Sequence, residues 1–181
     1  MKDIAEHILD IAQNSITADA THIEIKLHQN ATENYYQLII IDNGKGMEKE
    51  TLQRVIDPFY TSRTTRKVGM GIPLLKQNAE ITGGSFIINS KLGEGTFVQA
   101  NFVLDSIDRV PEGDVAGTIV FLAATNTAVD FEFEYATQRG NYVFNTVEIK
   151  KILGNVPLSN FEVRQYLKEM ILENIEEIGD D

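Results

Sequence analysis

YYQLIIIDNGKGM, residues 35–47, constrains the fold more than any other stretch of this chain. Residues 35–42 are an apolar run of strand length and read as a buried strand. The run ends on Asp42, and Gly44 and Gly46 then mark a turn. A carboxylate at the end of a buried strand is costly unless hydrogen bonds are donated to it. An exocyclic amine such as that of adenine would serve as a donor. Gly44 and Gly46 would let the backbone lie close against a flat ring. A plain Asx-type turn fits the same residues.

The other elements fall on either side of this strand. Residues 3–20 read as an amphipathic helix, with Ala5, Ile8, Leu9, Ala12 and Ile16 on one side. Residues 22–29 alternate as a strand, and a short helix is expected near 48–56. Residues 71–82 read as a helix with Pro73 in its first turn and Gly83-Gly84 at its end. SFIINS and GTFVQANFVL read as a hairpin joined by KLGE. Residues 105–114 have linker composition. Beyond them lie strand candidates at 118–125, 130–135 and 141–145, then two helices. The second helix is expected to open on a capping box, Ser159-x-x-Glu162.

On the first helix, Asp3, His7, Asp10 and Asn14 are spaced i, i+4, i+3, i+4 and form one polar stripe opposite the apolar face. A solvated helix face fits such a stripe. Two details point elsewhere: no Lys or Arg follows Lys2 to pair the carboxylates, and Asn is a poor choice in mid-helix. An Asn carbonyl oxygen can ligate Mg²⁺, an ion that takes few protein ligands and completes its shell with water and substrate phosphates. A carboxylate one turn earlier, Asp10, could orient a water or hydroxyl for attack on a phosphoryl group.

The segment PFYTSRTTRKVGMGI, residues 58–72, sets Arg63, Arg66 and Lys67 among Thr61, Ser62, Thr64 and Thr65. Gly69 and Gly71 then lead into a helix N-terminus. Guanidinium forks, hydroxyls, free backbone N–H groups and a helix dipole together suit phosphates. A solvated loop is the competing account. A Walker loop is absent, a calcium loop would place Gln53 where a bidentate Glu is needed, and Leu74 stands where a dinucleotide fingerprint has its third glycine.

Taken in order, these segments resemble the gyrase, histidine-kinase, chaperone and mismatch-repair ATPase superfamily (GHKL, the Bergerat fold). HILDIAQNSITADA resembles its N-box and DNGKGM its G1 box. PFYTSR followed by GMGIPLLKQNAEITGG resembles the end of the lid and the G2 box of histidine kinases. SKLGEGTFVQANF resembles the Gly-x-Gly-Thr strand that closes the pocket. The resemblance covers about residues 5–104 and implies ATP with Mg²⁺. By it, Asn14 would hold the metal, Asp42 would accept from the adenine amine, and Gly44, Gly46 and Met47 would shape the purine pocket. Thr96 would bond near the base, and Gly69, Met70 and Gly71 would present backbone N–H groups to the phosphates. Residues 57–70 would be a lid whose cationic contacts are Arg63, Arg66 and Lys67, with Arg63 and Lys67 stabilising γ-phosphoryl charge and Asp10 serving as base. Where hydrolysing and serine-kinase branches carry Glu, this chain has the shorter Asp10, and Thr17 stands where an ionisable residue is common.

The expected fold class is α/β, in detail an α+β two-layer sandwich: a Bergerat-type mixed sheet covered by helices on one face, plus a small C-terminal α+β appendage. The expected domains are an ATP-binding domain at 1–104, a linker at 105–116 and an acidic extension at 117–181. Formal net charge is −11, of which residues 105–181 carry −9. That balance argues against a nucleic-acid surface. There is no cysteine, hence no disulfide framework, and no long apolar run, so a cytoplasmic protein off the membrane is expected. Sensor-kinase dimerisation and phosphoacceptor helices do not precede the N-box, so self-phosphorylation is not expected. Two functions fit: an enzyme that hydrolyses ATP slowly or phosphorylates a partner protein, as anti-sigma-type serine kinases do, or a non-catalytic ATP/ADP sensor acting on a partner through lid and extension. A homodimer fits either.

Overall fold

The computed structural model describes residues 1–57, 59 and 70–179. Helix α1 (Ile4–Thr17) starts where Asp3 accepts a hydrogen bond from the Glu6 N–H at 2.8 Å, an N-cap. Strands β1 (His22–Asn30) and β2 (Tyr35–Asp42) pair antiparallel. Helix α2 (Lys49–Ile56) buries none of its residues. Helix α3 (Gly71–Ile81) leads to the hairpin β3 (Ser85–Lys91) and β4 (Gly95–Val103). Next come α4 (Val115–Thr125), β5 (Asp130–Thr137), β6 (Gly140–Asn145), α5 (Thr146–Leu153) and α6 (Phe161–Ile178).

All six strands form one sheet in the order β3-β4-β2-β1-β5-β6. Every pairing is antiparallel except β1 with β5. The register aligns Ile25 with Ile40 and Phe133, and Ile40 with Val98. Residues two apart along a strand share a face, so Ile23, Leu27, Leu38, Ala100, Phe102, Phe131 and Tyr135 join the same buried surface. Helices α1, α3 and α4 pack on it, and one hydrophobic core runs from Ile4 to Ile171. The opposite face carries Glu24, Lys26, Gln37, Ile39, Glu132 and Glu134, each half-buried. A mixed sheet with helices to one side is the expected fold class, and the C-terminal α+β segment extends this sheet through β5.

Two local expectations are corrected. Residues 118–125 lie in a helix, not a strand. Asp114 caps α4 by accepting from the Gly117 N–H at 2.9 Å. Seven of the helix's eleven residues are buried, because it is wedged against α1 and α6. A helix apolar all round has no amphipathic signal to separate it from a buried strand. Helix α6 starts one residue later than the capping box implies: Asn160, not Ser159, accepts from the Glu162 and Val163 N–H groups.

Residues 105–114 are tied down. The Ile4 and Ala5 N–H groups donate to the Pro111 and Glu112 carbonyls, satisfying two of the free donors at the α1 N-terminus. The Glu112 carboxyl accepts from the Tyr36 and Tyr135 hydroxyls at 3.2 and 3.4 Å, and burial pushes its pKa up. Arg109 lies over the Tyr36 ring, 5.1 Å from its centroid.

Candidate nucleotide site

Asp42 ends β2 on the helix-covered face of the sheet, opposite Ile23 and Thr96. Its Oδ2 accepts from the Ser15 hydroxyl at 2.5 Å and its Oδ1 from the Gly44 N–H at 2.9 Å. These two donors offset much of the cost of placing a carboxylate at a buried strand end. A carboxylate offers about four lone-pair sites, so acceptor capacity remains for a third donor.

The turn after Asp42 is held from three sides. Asn43 accepts from the Thr21 and His22 N–H groups. Lys45 N–H donates to the Ala18 carbonyl, and its own carbonyl accepts from Gly93 N–H. Gly46 sits at φ +65°, and a Cβ there would lie 2.0 Å from the Lys91 carbonyl oxygen. Only glycine lets the turn pass that close to the β3–β4 hairpin. Met47 N–H donates to the Ser90 hydroxyl at 2.9 Å, and Ser90 also bonds Thr96 Oγ1 at 2.8 Å. The structure therefore brings Asp42, Gly44, Gly46, Met47 and Thr96 together.

Asn14 immediately precedes Ser15 on α1, and its side chain has no partner among the described residues. Asp10 lies one turn earlier and is half-buried. Burial raises the pKa of its carboxyl, against an opposing effect of the N-terminal ammonium. The carboxylate rests directly on the start of α3: a Cβ on Gly71 would fall 1.6 Å from Asp10 Oδ2. Gly71 is buried and Met70 beside it is exposed.

His7 departs from expectation. It does not sit on a solvated stripe opposite the apolar face but is fully buried. Its Nε2 lies 2.8 Å from Asn78 Nδ2 on α3. The Asn78 amide can donate to that nitrogen, which leaves the ring proton on Nδ1. Burial, then the N-terminal ammonium, hold its pKa down at about 4, with Asp3 and Glu6 opposing. His7 and Asp10 thus face α3, the neighbour that folding places beside them. Arg63, Arg66, Lys67 and Gly69 lie outside the described residues.

Ser15 and Ser90 were not singled out from the sequence. A serine at the i+4 and i+7 positions from Ile11 and Ile8 lies on a buried helix face. That placement, immediately after Asn14, is the signal that could have marked Ser15.

The family model of the histidine kinase-, DNA gyrase B- and HSP90-like ATPases matches residues 2–106, more than half of the sequence. The chain belongs to this ATPase family. Among its relatives, the sensor histidine kinase YvrG of Bacillus subtilis is 28% identical over 93 residues, which is 49% of this chain and 16% of that protein. The sensor protein SrrB of Staphylococcus aureus is 36% identical over 101 residues, 53% of this chain and 17% of that protein. The chain therefore spans about a sixth of the length of these curated relatives. Among solved structures, the N-terminal domain of a DNA repair protein superposes with a TM-score of 0.51 at 15% identity. It covers 79% of this chain and 52% of that one, a likeness of fold that reaches past the family match.

Proposed function

We propose that this ATPase-family chain binds ATP with Mg²⁺ and passes the γ-phosphoryl group to water or to a hydroxyl of a partner protein. One observation carries the proposal: the Ser15 hydroxyl, next to Asn14, is bonded to Asp42, which supports reading the amide suited to the metal and the carboxylate suited to adenine as parts of one site. The Asn14 amide, which has no partner among the described residues, would hold Mg²⁺, and the ion would supply charge neutralisation at the phosphates when bound. Asp42 would accept the adenine amine as its third donor. Thr96, fixed by Ser90, would bond near the base. Asp10 would take the proton from the attacking hydroxyl, and burial makes its carboxylate a better base. Arg63, Arg66, Lys67, Gly69 and Met70 would contact phosphates.

Asp10 also supports a second account. Its carboxylate lies over Gly71, at the helix N-terminus assigned to phosphate. Two anions there repel, so phosphate entry has to move Asp10 aside. A chain in which ATP occupancy changes lid and extension without turnover would use Asp10 as that obstacle. Calorimetric titration with Mg²⁺ should show ATP or ADP binding that Asn14→Ala abolishes; unchanged affinity in the variant removes the site. Asp10→Asn should lower phosphate release or partner phosphorylation by about 100-fold with affinity near normal. Unchanged turnover favours the sensor.

A further inference from the structure

A groove of about 490 Å³ opens between α1, α4 and α6, outside the nucleotide site. Its walls are Leu9, Val120, Phe121 and Phe161, with Arg164 and Lys168 along α6. Phe121 is 46% and Phe161 62% exposed, a cost to the isolated chain that burial against a partner would recover. The charge in the groove runs against that of the molecule. The chain carries −11 overall, yet this strip holds two cations one helical turn apart against one acid, Asp114. Lys168 is paired, its Nζ donating to Asp114 at 2.7 Å. Arg164 is not: it makes no ion pair among the described residues, although its Nε is covered by the chain itself. A guanidinium fork is matched best by a carboxylate.

We propose that this groove docks an acidic amphipathic helix of a protein partner, its apolar side chains filling the space between Phe121 and Phe161 and one Asp or Glu pairing Arg164. A helix laid between α4 and α6, over Leu9 of α1, would bury anchors at i, i+3 or i+4, and i+7. The docked helix would touch Leu9, the residue before Asp10, so occupancy would be felt on α1. The proposal stands whether or not the chain binds ATP.

The test is selection of peptides about four helical turns long, from a random display library, on the full chain. Enriched sequences should combine helically spaced apolar residues with an Asp or Glu. Fluorescence anisotropy should show binding weakened about tenfold by Arg164→Gln, by added salt, and by exchange of the peptide's acid for Lys. Phe161→Ser alters an exposed position and gives a second, independent loss. Circular dichroism verifies that both variants keep the fold. No enrichment, peptides without an acid, or binding indifferent to both substitutions would overturn the assignment. Sedimentation showing self-association that Phe161→Ser abolishes would also overturn it, by making a second copy the occupant.

Discussion

Asp42 is held by one side-chain donor and one backbone donor, and only the first can be removed without rebuilding the turn. Ser15→Ala should therefore leave the fold intact while freeing the carboxylate to rotate. The loss of one hydrogen bond of this kind corresponds to about 1–2 kcal/mol, or about a 5- to 30-fold weaker nucleotide affinity by calorimetry. His7 gives a prediction in stability. Its ring stays neutral in the folded chain down to about pH 4, whereas the ordinary value is 6.5. Below pH 6.5 the unfolded chain binds the extra proton, so stability falls as pH drops from about 7 toward 4. The full effect is about 3 kcal/mol. Urea denaturation across that range should show the decline, and His7→Gln should flatten it. Helical spacing puts His7 between Ile4 and Ile11, but it does not show how deeply the ring is covered. On α1 alone it lies in line with Asp3 and Asp10, and only the arrival of α3 with Asn78 covers it.

The helix starts separate what local sequence encodes from what packing adds. At α6 both Ser159 and Asn160 are capping residue types, and the structure selects Asn160. Asn160→Ala should cost about 1 kcal/mol in thermal unfolding, while Ser159→Ala should stay within about 0.5 kcal/mol. At α3 the contact is tertiary. Gly71→Ala places a methyl group in the space of the Asp10 carboxylate and should destabilise by about 1–3 kcal/mol. The double variant Gly71→Ala with Asp10→Ala should recover most of that loss. A cycle that proves additive would mean Asp10 does not rest on Gly71. Glycine at 71 was read from the sequence as a phosphate-binding feature. Its contact with Asp10 could not have been, because the two residues meet only when α1 and α3 pack.

Across the whole molecule the decisive contact is the parallel pairing of β1 with β5. It brings Phe131, Phe133 and Tyr135 into the core beside Ile23, Ile25 and Leu27, and α4 packs against α1. Phe133 is fully buried, so Phe133→Ala should cost about 3–5 kcal/mol. A fragment of residues 1–106 would lose Glu112, the docked segment that caps α1, and the neighbour that covers the β1 edge. We expect that fragment to melt well below the full chain in calorimetry. An equal melting temperature would show that residues 107–181 stabilise nothing in the N-terminal part.

The sequence by itself determined the strands of the first hundred residues, the glycine turn after Asp42 and the alignment of Asp10 with Asn14. Each depends on local periodicity or on one residue's backbone freedom, and such signals survive without neighbours. Only the tertiary structure decided that residues 118–125 coil rather than extend, that His7 is covered, and that Ser15 holds Asp42. Those outcomes depend on which surfaces meet: helical spacing puts Ser15 on a buried face, but its partner 27 positions away is fixed only by packing.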